Sequence, residues 1–319
     1  MNVVAARLIS AYVAVLSIIA SLTISAAVAV ETFSAKDLMN GTKSSPQACA
    51  ALPKSVFIRF EGEGICIRYY ISGLAAGQTA VVFFPGDSFG ADERGKIGPD
   101  PGYLTQAPEY IDIGVRVWSQ RLAAPVIFFG RMGLHGSSGW HGNRRTRLEV
   151  GVTLAALDQI KAREGLAGYH LVGQSGGGIL AEAALAKRDD IGCAAIASTP
   201  LAFATFAKMF GIRFRKEGKL AHHEAMNDVA AVAASKARIL FLTDPKDMAV
   251  PPITQTEFID AVKAAGGTFL HILTGGRGAE RHALTEKAMF STALCIAGAK
   301  DEDILARYGN TGPDDLPPP

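Results

Sequence analysis

Short apolar runs recur along the chain, separated by stretches with helical spacing. Residues 56–60 and 65–70 flank the polar Glu61-Gly62-Glu63-Gly64 and predict an antiparallel hairpin. Further apolar runs at 78–84, 125–129, 169–172, 193–197, 238–242 and 268–273 predict strands. Between them, residues 110–122, 146–163, 179–187, 254–265 and 283–299 carry helical spacing. Strands alternating with helices imply a mostly parallel sheet covered on both faces, with the antiparallel start at one edge. Residues 31–55 read as an irregular lead-in, and a glycine- and proline-bearing loop follows Phe84 as far as Pro108. Residues 200–236 break the alternation. They predict two or three short helices carrying Lys208, Arg213, Arg215, Lys216 and Lys219, either a short helical lid or a surface insertion.

The two ends follow other rules. Arg7 is the only charge before Glu31, and residues 8–30 are apolar or small. With Ala27-Val28-Ala29 as a small-residue cleavage site, residues 1–29 predict a signal peptide and a periplasmic or extracellular protein. An uncleaved membrane anchor over residues 8–30 is the alternative. The folded domain is expected over residues 30–300, with 301–319 a largely disordered tail ending in Leu316-Pro317-Pro318-Pro319.

Composition narrows the partners. The chain has 319 residues, 49% hydrophobic and 19% charged, enough for a large core. A formal net charge of +2 without a long basic stripe argues against a nucleic-acid partner. Export permits disulfides, and of the four cysteines Cys49 and Cys66 are expected to pair, both preceding the main sheet. Cys193 and Cys295 are either buried thiols or a second bridge.

The chemistry centres on Gly173-Gln174-Ser175-Gly176-Gly177-Gly178. An apolar strand precedes it and a good helix former follows, so Ser175 sits at a sharp strand-to-helix turn. Bulky neighbours would clash there, and glycine has no Cβ. The N–H groups after Ser175 open a helix, where negative charge is favoured. The bland alternative is a structural turn.

Over about residues 54–300 the chain resembles α/β-hydrolases, in particular serine esterases and peptidase-like members of that fold. The resemblance rests on Gly173-Gln174-Ser175-Gly176-Gly177, the strand order, and later acid and histidine candidates. It implies Ser175 as nucleophile, followed in chain order by an acid and a histidine. Asp247, just before Ala249-Val250-Pro251, fits the acid, and Asp244 is the alternative, otherwise a turn aspartate before Pro245. His282, in the glycine-rich loop before the last helix, fits the base. Its rival His271 lies inside an apolar strand and reads as packed, and His222-His223 read as a solvated face rather than a metal site. The oxyanion hole is expected from the Gly176 N–H and a second N–H in Pro85-Gly86-Asp87-Ser88, from Asp87 or Ser88, since Pro85 has none. Arg144 and Arg145 either hold an anionic substrate group or pair with Glu149, the preferred reading.

The expectation is a secreted serine hydrolase that cleaves a carboxylic ester or amide through an acyl-enzyme, with a small-molecule ester or peptide as substrate. No metal and no organic cofactor is implied, and membrane contact is expected only if residues 8–30 stay attached. A serine peptidase on the same fold would need an acidic pair for a free amine, and Glu217 and Glu224 are isolated. A non-catalytic binding protein is the other rival, because fold does not imply function.

Overall fold

A computed structural model describes residues 30–75, 77–91 and 96–315. Contacts divide the chain after Glu31, and the description concerns the unit that begins at Thr32. The expected signal peptide, and all of the alternative anchor but Val30, lie outside the described residues.

Eight strands form the main sheet: β1 (Ser55–Phe60), β2 (Glu63–Ser72), β3 (Thr79–Phe84), β6 (Val126–Phe129), β7 (Gly168–Gln174), β8 (Ile191–Ala197), β9 (Arg238–Thr243) and β10 (Leu270–Leu273). Their spatial order is β1-β2-β6-β3-β7-β8-β9-β10. β1 pairs antiparallel with β2 and β2 with β6; all other neighbours are parallel. The hairpin connection is tighter than expected. Phe60 pairs with Glu63, so only Glu61 and Gly62 turn, both at positive φ (46° and 83°). Such primed two-residue turns match the twist of the strands they join.

The pleat sends alternate side chains into two cores. Val82, Phe84 and Leu171 face a core shared with the helices Arg147–Glu164, Gly176–Lys187 and Ile253–Ala264. Val81 and Val172 face a second core, covered by the helices Pro108–Leu122 and Thr285–Ile296. Burial on both faces explains why the central strands read as continuous apolar runs. It also places the carboxyl ends of β3, β7 and β9 along one sheet edge, where open parallel sheets bind ligands.

Several segments differ from expectation. The lead-in holds two short helices, Ala35–Asn40 and Pro46–Ala50, capped by Ser34 and Ser45. The loop after Phe84 contains a small hairpin, β4 (Phe89–Ala91) with β5 (Ile97–Pro99), and a short helix, Pro101–Leu104. The expected tail is structured through Asp315. Asp301–Tyr308 is a helix with three acids in its first turn, and Ile304 and Tyr308, one turn apart, are fully buried. Beyond it, buried Lys287 donates to the Gly312 carbonyl (2.6 Å) and to Thr311 Oγ1 (2.9 Å). Only residues 316–319 of the expected tail lie outside the described residues.

Both disulfides are formed, Cys49–Cys66 and Cys193–Cys295. The second bolts the start of β8 to the helix Thr285–Ile296, so the buried-thiol reading is replaced by a bridge.

Candidate active site

β7 ends at Gln174 and the helix Gly176–Lys187 begins two residues on, leaving Ser175 to make the whole turn at φ 56°, ψ −128°. A non-glycine residue there carries strain of about 1–3 kcal/mol, which persists only if the surroundings fix it. They do. Ser175 N–H donates to the Ala197 carbonyl of β8 at 2.9 Å, and the Gly178 N–H donates back to the Ser175 carbonyl at 2.9 Å. The helix start lies flush against its neighbours: a Cβ on Gly177 would stand 2.2 Å from the Phe84 carbonyl oxygen, and one on Gly178 would stand 1.8 Å from Thr199 Oγ1. Contact at that range, with backbone at Gly177 and with the short Thr199 side chain at Gly178, leaves no room for a Cβ.

The acid loop follows β9. Asp247 is buried, and its Oδ1 accepts the Ala249 and Val250 N–H groups at 2.9 and 2.8 Å. Its Oδ2 lies 2.8 Å from His282 Nδ1. One carboxylate oxygen is thus fixed by backbone and the other engages the imidazole, and among the described residues the ring's Nε2 has no partner. Asp244 is occupied differently. Its carboxylate accepts the Lys246 and Gly276 N–H groups, both at 2.7 Å, and Arg281 Nε at 2.8 Å, tying the acid loop to the histidine loop. Burial would raise the Asp244 pKa, but these bonds and Arg281 hold it below the usual carboxylate value. His271 packs within β10, 3.0 Å from Thr243 Oγ1.

Gln174 completes this side of the site. Its Nε2 donates to the His282 carbonyl at 2.9 Å and its Oε1 accepts the Leu284 N–H at 3.0 Å. The sequence offers Gln174 only as a flank of the serine.

Across the serine lies the loop after β3. Gly86 approaches so closely that a Cβ on it would be 3.4 Å from Ser175 Cβ. The Ser88 N–H donates to His141 Nε2 at 3.4 Å. Among the described residues the N–H groups of Gly176 and Asp87 have no protein acceptor, whereas that of Ser88 is taken by His141. The Asp87 carboxylate rests against Gly176: a Cβ there would be 2.1 Å from Asp87 Oδ1.

That carboxylate is heavily compensated. Arg131 Nη1 donates to Asp87 Oδ1 at 2.8 Å and to the Pro85 carbonyl at 3.1 Å. Arg144 Nε donates to Asp87 Oδ2 at 3.0 Å, with Arg145 Nη2 3.4 Å away. Burial alone would raise Asp87, but Arg145, Arg131 and Arg144 hold it well below the usual carboxylate range. The fully buried Arg131 also grips Glu149 in a bidentate pair, 3.0 Å on each side. The expected pairing of Arg144 and Arg145 with Glu149 is therefore corrected. Glu149 is taken by Arg131 and by the Arg145 backbone N–H, and both guanidinium groups turn to Asp87. Burial, with the Arg131 charge, drives His141 well below 6.5, so it stays neutral; its Nδ1 lies 3.4 Å from the Met132 carbonyl.

The segment 200–236 divides in two. The helix Phe203–Met209 stands beside the site: Phe203, Phe206 and Val250 form one apolar cluster, and Arg145 lies 5.1 Å over the Phe203 ring. The later part is core, with Ala225 and Val232 fully buried, so a lid could involve only the first part. His222 and His223 are not a solvated face. His222 stacks on Phe203 at 4.8 Å and is pushed down to about 4 by burial and by Arg145. His223 is buried against Glu182 at 2.9 Å. Asp228 lies 3.4 Å from the same nitrogen, giving a compact trio, but Lys187 already neutralises Asp228 and the group reads as an ion-pair network.

Two clefts of about 500 and 510 Å³ lie elsewhere, lined by residues such as Trp140 and Lys219 or Phe57 and Gln159. Chemistry rather than cavity size marks the site.

The architecture is that of the α/β-hydrolase fold. An esterase from Butyrivibrio proteoclasticus, Est1E, solved with ferulic acid, aligns at a TM-score of 0.52 and 16% identity, over 76% of this chain and 99% of that one. The Pyrococcus furiosus esterase Pf2001 aligns at 0.50 and 15%, over 85% and 98%. The acylaminoacyl peptidase of Pyrococcus horikoshii aligns at 0.52 and 17%, over 80% of this chain but only 44% of that one. No protein-family model and no curated protein sequence matches the chain.

Proposed function

We propose that the protein is an exported serine hydrolase that cleaves carboxylic esters, with Ser175 as nucleophile, His282 as general base and Asp247 as its orienting acid. The observation that carries this reading is the strained, backbone-locked Ser175 on the same sheet edge as the 2.8 Å His282–Asp247 pair.

Ser175 Oγ attacks the substrate carbonyl carbon and His282 Nε2 takes its proton. Asp247, bonded to Nδ1, holds the neutral ring in the Nδ1–H tautomer and stabilises the imidazolium that forms. Negative charge developing on the carbonyl oxygen is met by the Gly176 and Asp87 N–H groups, which have no protein acceptor among the described residues. The three arginines around Asp87 matter here. Without them its carboxylate would oppose the oxyanion, whereas Arg131, Arg144 and Arg145 outweigh Asp87 and Glu149 by one positive charge. Collapse expels the alcohol, protonated by His282, and leaves an acyl-Ser175 ester. Water, deprotonated by His282, then releases the acid.

A peptidase reading draws on the acylaminoacyl peptidase likeness, but a free-amine pocket has no support. Glu224 is spent accepting the Phe203 and Ala204 N–H groups at 3.1 and 2.7 Å. The test is a panel of p-nitrophenyl esters beside matched peptide anilides. Ester turnover that exceeds anilide turnover supports the reading; anilide preference favours the peptidase, and turnover of neither supports a non-catalytic binding protein.

A further inference from the structure

The segment Lys208-Met209-Phe210-Gly211-Ile212-Arg213-Phe214-Arg215-Lys216 interleaves large apolar residues with cations. Met209, Phe210 and Ile212 are 53%, 50% and 38% exposed. Lys208, Arg213, Arg215 and Lys216 are exposed as well, and among the described residues none of the four has a carboxylate within ion-pair distance. Nearby Lys219, by contrast, is paired with Glu63 at 2.5 Å. From Phe203 to His223 there are five lysines and arginines against one acid, Glu217. Isolated exposed apolar side chains are ordinary, but three within four residues ringed by unpaired cations are not.

The loop is also held in shape. The Ile212 N–H donates to the Ala207 carbonyl at 2.8 Å, and the His222 N–H donates to the Arg215 carbonyl at 3.0 Å. Phe214 turns inward onto Phe203, with ring centroids 5.5 Å apart. One aromatic therefore anchors the loop while its neighbours face outward. The anchor cluster includes Val250, whose N–H is bonded to Asp247, so the loop rises from the rim of the candidate site. Met248 on the same acid loop and Ile253 at the start of the helix that follows it are 63% and 52% exposed.

Apolar side chains that enter the acyl boundary, flanked by cations at headgroup level, are the recognition chemistry of an anionic lipid surface. We propose that residues 208–216 dock on such a surface and bring the mouth of the Ser175 site to the lipid–water boundary, so that its esters are presented from a membrane. The docking stands on the loop alone; the substrate statement rests on the proposed role of Ser175.

The test uses the full chain carrying F210W, read against the parent protein to subtract Trp118 and Trp140. Whatever residues 1–29 contribute is common to every variant. Phosphatidylcholine vesicles are compared with vesicles containing one third phosphatidylglycerol, and with soluble heparin. The expected result is a blue shift at position 210, quenched by brominated lipid, on the anionic vesicles and abolished by half-molar salt. R213S/R215S should weaken vesicle binding more than tenfold, at about fivefold per cation removed. It should leave fluorophosphonate labelling and soluble-ester turnover unchanged, which separates loss of docking from loss of the hydrolase. No shift on anionic vesicles, an equal shift on neutral ones, or a shift with heparin alone would overturn the proposal.

Discussion

The side chain of Gln174, the residue before Ser175, is bonded to the backbone of His282. Its Nε2 donates to the His282 carbonyl at 2.9 Å, and its Oε1 takes the Leu284 N–H two residues on. The serine turn and the histidine loop, more than a hundred residues apart in sequence, are thereby set by one amide. Leaving these buried groups unpaired costs about 1–3 kcal/mol each. Gln174→Ala is therefore expected to lower kcat by about ten- to a hundredfold while KM stays within a few fold. Gln174→Glu keeps the acceptor for Leu284 but loses the donor to His282, and should fall between. Unchanged kcat in both variants would show that the histidine loop holds itself.

The two aspartates of the acid loop should separate by readout. Asp247→Asn removes the acceptor that fixes the Nδ1–H tautomer, and a loss of about 10³–10⁴ in kcat is expected from the behaviour of triads. Asp244→Asn gives up the Arg281 ion pair and weakens the clamp on the histidine loop. Its expected signature is lower thermal stability with a much smaller kinetic loss. Kinetics and melting curves on both variants decide it, and the reverse pattern would move the acid three residues upstream.

Much of this was legible in the chain. The turn at Ser175 is marked by glycine crowding, the place of Asp247 by a position just past a strand, and that of His282 by a loop before the helix Thr285–Ile296. What stayed hidden was long-range. Arg131 reads as one more residue after a strand, yet it ties Asp87 to Glu149 from a fully buried position. Nothing local shows that Arg144 and Arg145 would choose Asp87 over the nearer Glu149, since that choice depends on the loop after β3 folding over Gly176. The C-terminal helix was different. The acids in its first turn and the Ile304, Tyr308 spacing are helical signals, but they span barely two turns and the prolines and glycines beyond mask them.

The disulfides should contribute unequally. On the chain-entropy account, a bridge closing a span like that of Cys49 and Cys66, 17 residues apart, contributes about 3 kcal/mol, and one across the 102 residues between Cys193 and Cys295 about 5 kcal/mol. Cys193→Ser/Cys295→Ser should therefore lower Tm more than Cys49→Ser/Cys66→Ser. Peptide mapping of the unreduced protein should show both bridges, and free thiols at either pair would contradict the structure.

Acid should destabilise the fold early. Burial lowers His135 to about 3 and His141 well below 6.5. Both stay neutral in the folded state down to that range, while in the unfolded chain they protonate near 6.5. The unfolded state then binds more protons, so stability is full above about pH 6.5 and is lost as pH falls towards the folded values. Each such histidine contributes a slope of about 1.4 kcal/mol per pH unit. His223, raised through Glu182 despite its burial, works in the opposite sense. Lowered values at His170, His222 and His271 outnumber it. Denaturant unfolding at pH 7.5 and 5.5 should show the loss, and equal stability at both would mean that these imidazoles are not buried neutral.

The central claim is that Ser175 is an activated nucleophile. Its most direct test is the intact mass of the protein after treatment with a fluorophosphonate, followed by peptide mapping. A single adduct on Ser175 is predicted, absent from Ser175→Ala and strongly slowed in His282→Ala, with both variants folded by circular dichroism. No adduct on the folded wild-type protein, or an adduct that persists in Ser175→Ala, would contradict it.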